Sequence, residues 1–106
     1  MDSTVHTFSR TFTLKRFDNV RLLNALIAAT SGCGATIFKV GSHAFYPQGF
    51  SAFIILGESH SALHTFPEHN RIWVEIATCS NSQDIDKFFL IFQMRSGAEL
   101  SKKEEK

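Results

Sequence analysis

At 106 residues, 43% hydrophobic and 20% charged, the chain has the composition of one folded domain with a modest core rather than of a disordered segment. A net charge of +1 gives no electrostatic case for nucleic acid or an anionic membrane, and no apolar run reaches the roughly 18 to 20 residues that a membrane span needs. Met1-Asp2-Ser3-Thr4 lacks the basic and apolar regions of a signal peptide, so a cytoplasmic location is expected.

Residues 6–16 read as a half-buried strand, with Phe8, Phe12 and Leu14 on one face and Ser9, Thr11, Thr13 and Lys15 on the other. Asp18 or Asn19 can cap a helix through about Thr30, where Val20, Leu23 and Ile27, and Leu22, Leu26 and Ala29, recur at helical spacing. Gly32 and Gly34 end it. Ala35 to about Phe45 is rich in β-branched and aromatic residues and predicts a second strand, followed by a Tyr46-Pro47-Gln48-Gly49 turn. Phe50 to Leu56 is apolar at nearly every position, which predicts a central strand covered on both faces. Gly57 to Asn70 follows neither period and reads as a polar loop.

Arg71 to Thr78 returns to alternation. Ser80-Asn81-Ser82-Gln83 fits a capping box for a second helix whose apolar face carries Ile85, Phe88, Phe89 and Phe92. Leu90, Ile91 and Met94 make that helix apolar almost all round, which predicts burial in a subunit interface as well as on the sheet. Eleven Phe against one Trp and one Tyr suit either a Phe-filled core or an aromatic interface. Gly97 stops the helix, and the charged end reads as a solvated tail. The expected fold is an α+β two-layer sandwich, a mainly antiparallel sheet with two helices on one face. Residues 1–96 form its single domain and 97–106 the tail.

Cys33 and Cys79 form no CxxC pair and no disulfide framework, so each is first a small buried apolar residue and a thiol. The chemistry concentrates in Glu58, Ser59, His60, His64 and Glu68. A zinc site on the His60/His64 spacing would need a helix, which Pro67 and the polar pattern oppose, and a third ligand; no metal is expected. A serine hydrolase would need a second glycine that Gly57-Glu58-Ser59-His60-Ser61 lacks. On residue types alone, a polar loop with surface histidines stays open.

The run Gly57-Glu58-Ser59-His60-Ser61-Ala62-Leu63-His64-Thr65-Phe66-Pro67-Glu68 resembles the signature of the S-adenosylmethionine decarboxylase family: Glu-Ser-His, then His-Thr-Trp-Pro-Glu. The likeness extends through Phe45-Tyr46-Pro47-Gln48-Gly49-Phe50-Ser51 and to Thr78-Cys79-Ser80. It implies self-cleavage between Glu58 and Ser59, with His64 and Ser51 assisting, and a covalent pyruvoyl cofactor made from Ser59. The pyruvoyl carbonyl would condense with a substrate amine as a Schiff base and act as an electron sink. The resemblance gives Cys79 the role of proton donor and Glu68 that of ribose ligand. Phe45 and Phe66 are candidates to stack on adenine. It also implies a homodimer or higher homo-oligomer with shared active sites, a small-molecule substrate, and a place in polyamine synthesis.

Two departures bear on the substrate. Phe66 stands where the family has Trp, and Lys15-Arg16-Phe17-Asp18 puts two cations where the family places an aromatic and an acidic or glycine-cysteine group near the substrate. Cations would repel a sulfonium unless they point away. The alternative readings are the same pyruvoyl chemistry on ornithine or arginine, and a non-catalytic regulatory homologue.

Overall fold

The computed structural model describes residues 5–57, 59–78 and 83–105, with 102–105 as backbone alone. In chain order the elements are β1 (His6–Thr13), α1 (Asn19–Gly32), β2 (Lys39–Ala44), β3 (Phe50–Ile55), β4 (His60–Phe66), β5 (Arg71–Thr78), α2 (Ile85–Ser96) and β6 (Glu99–Glu105), with one 3-10 turn at Pro67–His69. The six strands form one sheet in the order β2-β3-β4-β5-β1-β6, and every neighbouring pair is antiparallel. The fold is thus the expected α+β sandwich, with two more strands than the sequence pattern suggested.

Alternation along the strands sorts the side chains. Phe12, Phe50, Ala52, Ile54, Leu63, Ile72, Val74 and Ile76 are buried against Leu22, Leu26 and Ala29 of α1 and Phe88, Phe89 and Phe92 of α2. The ring of Phe12 is tilted against those of Phe92 and Phe89, at centroid distances of 5.3 and 6.5 Å. Arg10 sits on the same layer, its guanidinium 4.2 Å above the Phe89 ring and 3.1 Å from Asp86. Asp18 caps α1 by accepting the Arg21 N–H, and Asp84 caps α2 by accepting the Lys87 N–H. The start of α2 is tied to the end of α1, because the Asp84 N–H donates to the carbonyl of Cys33, the C-cap of α1, at 2.9 Å. No helix among the described residues is long and apolar enough to cross a membrane.

Four expectations need correction. The stretch read as a loop contains β4, which reads poorly because its two faces carry polar and apolar side chains in mixed order. The predicted tail is β6, an edge strand paired with β1; polar edge strands carry no apolar period. The helix N-cap is Asp84 rather than a residue of the Ser80–Gln83 box, of which 80–82 lie outside the described residues. Phe92 is wholly buried in the chain's own core, whereas Leu90 and Met94 on the outer side of α2 are exposed. Finally, β3 is covered on one face only: Phe53 and Ile55 remain 43% and 37% exposed on the side opposite the helices.

Candidate active site

The face without helices carries the reactive groups. Register places Ser51 of β3 beside His64 of β4, and His64 beside Trp73 of β5. The Ser51 Oγ and His64 Nδ1 atoms are 2.8 Å apart. The imidazole is stacked on Trp73, with centroids 5.5 Å apart and planes inclined by 23°. Two hydrogen bonds, one within the sheet and one from β4 to α1, support this alignment. The Phe50 N–H donates to Thr65 Oγ1 at 2.8 Å, locking the start of β3 to the end of β4. On the helix side the buried hydroxyls of Ser61 and Thr30 meet at 2.9 Å and hold β4 under α1.

Farther along the same face, His60 Nε2 is 3.0 Å from the Glu75 carboxylate. His60 and His64 are four residues apart on a strand, so about 13 Å of extended chain separates them and they make no chelating pair. The ring of Phe53 lies over Gly41, where any Cβ would collide with it.

Ser59 occupies the β3–β4 turn, where its carbonyl accepts the Leu56 N–H at 2.9 Å. Gly57 turns the chain at φ +86°, a left-handed conformation that glycine adopts without strain. Glu58 lies outside the described residues. Ser59 is at one end of the sheet and His64 is five residues on along β4, about 16 Å away at 3.3 Å per residue. The structure therefore brings Ser51 and His64 together but does not bring Ser59 to them within one chain.

Phe66 and Glu68 stand at the His64 end, both exposed, and Gln48 Nε2 donates to the Glu68 carboxylate at 3.2 Å. Phe45, also exposed, packs edge-on against His43 at 4.5 Å. Cys79 lies outside the described residues; β5 runs to Thr78, immediately before it, at the Ser59 end of the sheet. Trp73 and Glu75 were not singled out from sequence. Their signal was available: both fall on the same alternate positions of a strand, next in space to the histidines only once register is known.

Lys15 and Arg16 follow the end of β1 and line a cleft with Gly97 and Glu99, and Arg16 lines a second with Asp18, Arg21 and Ser96 of the helix layer. β1 is two strands from β4. Each of these cations thus shares a cleft with a carboxylate at the β1–β6 side, away from the β3–β4 row.

A profile of the S-adenosylmethionine decarboxylase family matches residues 12–105. The chain belongs to that family. Among its relatives, the S-adenosylmethionine decarboxylase proenzyme of Carboxydothermus hydrogenoformans is 38% identical over 71 residues, 67% of this chain and 52% of that protein. The proenzyme of Brevibacillus brevis is 36% identical over 63 residues, 59% of this chain and 47% of the relative. That of Pseudomonas aeruginosa is 31% identical over 85 residues, 79% of this chain and 53% of the relative. The matches span about half the length of these curated relatives. A solved adenosylmethionine decarboxylase from Aquifex aeolicus shares the fold, with a TM-score of 0.75 at 18% identity, covering 96% of this chain and 85% of that one.

Proposed function

We propose that this chain is the proenzyme of a pyruvoyl-dependent decarboxylase acting on S-adenosylmethionine, which cuts itself between Glu58 and Ser59. The observation that carries the reading is the Ser51–His64 pair, 2.8 Å apart on an uncovered sheet face, with His64 on the strand that Ser59 introduces. In processing, Ser59 Oγ adds to the Glu58 carbonyl carbon. The C–N bond breaks, the nitrogen keeps the electron pair and takes a proton, and an ester results. A base removes the Ser59 α-proton, and the Glu58 carboxylate leaves with the C–O bonding pair. The dehydroalanine that remains tautomerises, and water hydrolyses it to a pyruvoyl group with release of ammonia. His64, oriented by Ser51, is the proposed base.

The fold suits such a cut. After cleavage, β1 of the upstream chain would still lie between β5 and β6 of the downstream chain, β3 would still pair with β4, and α1 would still pack on α2. The two pieces thus stay one folded unit with the new N-terminus at the head of β4. A pyruvoyl group there supplies an electron-withdrawing carbonyl for decarboxylation. Cys79, whose thiol carries a transferable proton, is the proposed proton donor to the product. Glu68 and the rings of Phe66 and Phe45 are the proposed contacts to the nucleoside.

A homodimer completes the reading. The uncovered face presents Phe53, Ile55 and Phe66 beside the half-buried Trp73, apolar surface that a second sheet would cover. Ser59 lies at one end of that face and Ser51, His64, Phe66 and Glu68 at the other. Two copies packed face to face with strands reversed would set the Ser59 end of each against the His64 end of its partner. Enclosure between two sheets would also exclude water from the reacting group.

Intact-mass analysis of the purified protein tests the reading. The expected result is two chains, residues 1–58 and a 60–106 chain headed by pyruvoyl, with Ser59→Ala remaining whole. Decarboxylation of S-adenosylmethionine, with ornithine and arginine as controls, then tests the substrate. A parent chain that stays full length on long incubation would overturn the proposal.

A further inference from the structure

Trp73 is the chain's one tryptophan and sits on the face opposite the helices, so the chain's own core does not require it. Its contact is specific. The indole lies against the imidazole of His64 at 5.5 Å and 23°. On the other side of His64, from β3, Ser51 Oγ meets Nδ1 at 2.8 Å. The ring is therefore held from both neighbouring strands by different means.

The hydrogen bond to Nδ1 restrains the imidazole only as firmly as the Ser51 hydroxyl is itself held, because Ser51 χ1 and the broad χ2 torsion of His64 can move together. A stacked aromatic surface restrains the plane instead. Together they leave Nε2 as the ring nitrogen without a partner among the described residues, in a fixed direction. A base that must take a proton from a group delivered by another strand or another chain needs its free nitrogen fixed in this way. A displacement of about 1 Å can cost on the order of a hundredfold in rate.

We propose that Trp73 is a positioning residue for His64, setting the plane of the imidazole for self-processing. The assignment rests on the processing role proposed for His64. An aliphatic residue at position 73 would cover the same surface and serve an interface equally well, but it would not restrain the ring plane.

The test compares Trp73→Phe with Trp73→Leu in full-length chain made by cell-free translation, following cleavage over time. Trp73→Phe should cleave within about threefold of the parent and Trp73→Leu about 10- to 100-fold more slowly, with melting temperatures alike. Trp73→Leu cleaving at the parental rate, or Phe and Leu equally slow, would overturn the proposal. A second measurement does not depend on cleavage. In the Ser59→Ala chain, the His64 ring protons should show an upfield NMR displacement from the indole ring current, and Trp73→Leu should abolish it. Absence of that displacement would remove the stack itself. His64→Ala cleaving normally while the displacement is present would instead retire the role of His64 on which the proposal rests.

Discussion

Ser51 Oγ and His64 Nδ1 lie 2.8 Å apart although 13 residues separate them in the chain. A tight hairpin and one backbone-to-Thr65 hydrogen bond create this contact, so it survives only if β3 and β4 keep register. Ser51→Ala should leave the fold intact and slow self-cleavage roughly tenfold, the loss of one orienting hydrogen bond near a base. A cleavage time course measures it. An unchanged rate would separate Ser51 from processing.

Because Ser59 and His64 stand at opposite ends of the uncovered face, the shared-site reading predicts complementation between two defective chains. His64→Ala alone and Ser59→Ala alone should each remain mostly whole. Co-expressed, the His64→Ala chain should be cut, since its Ser59 would meet the His64 of its Ser59→Ala partner. Distinct affinity tags on the two chains show which one is cleaved. If His64→Ala stays whole in the mixture while the two chains co-purify, the sites are not shared.

Phe92 is fully buried against Phe12, whereas Met94 on the same helix is 70% exposed. Phe92→Ala should cost about 3–5 kcal/mol in urea unfolding, and Met94→Lys should stay within about 0.5 kcal/mol. A large effect of Met94→Lys on stability or assembly would mean that the outer side of α2 is covered after all.

Burial pushes the Cys33 thiol above its ordinary value of 9.0, and its S–H donates to the Thr30 carbonyl at 3.2 Å. The folded chain therefore holds the proton that the unfolded chain loses. Stability from this group is complete below pH 9.0 and falls as the pH rises above it. Cys33→Ala should flatten the alkaline limb of a stability–pH curve, read from urea midpoints between about pH 8 and 10.5. The same steep limb in Cys33→Ala would assign it to other groups. Native Cys33 should also resist alkylation until the protein unfolds.

Local sequence was sufficient for β1, both helices, β3 and β5, because alternation, helical spacing and an aspartate cap are short-range signals. It was also sufficient for the Glu58-Ser59-His60 and His64–Glu68 runs, whose residue types stand out without any fold. It could not show β4 or β6, because the period of a strand blurs where one face is open to polar and apolar groups alike or where the strand lies at an edge. Nor could it show which alternate positions meet. Trp73 became a neighbour of His64, Glu75 of His60, and Ser51 of His64 only through register, which is set by pairing across the whole sheet. The same register placed Ser59 and His64 about 16 Å apart despite their closeness in sequence, because a strand spends every residue on distance.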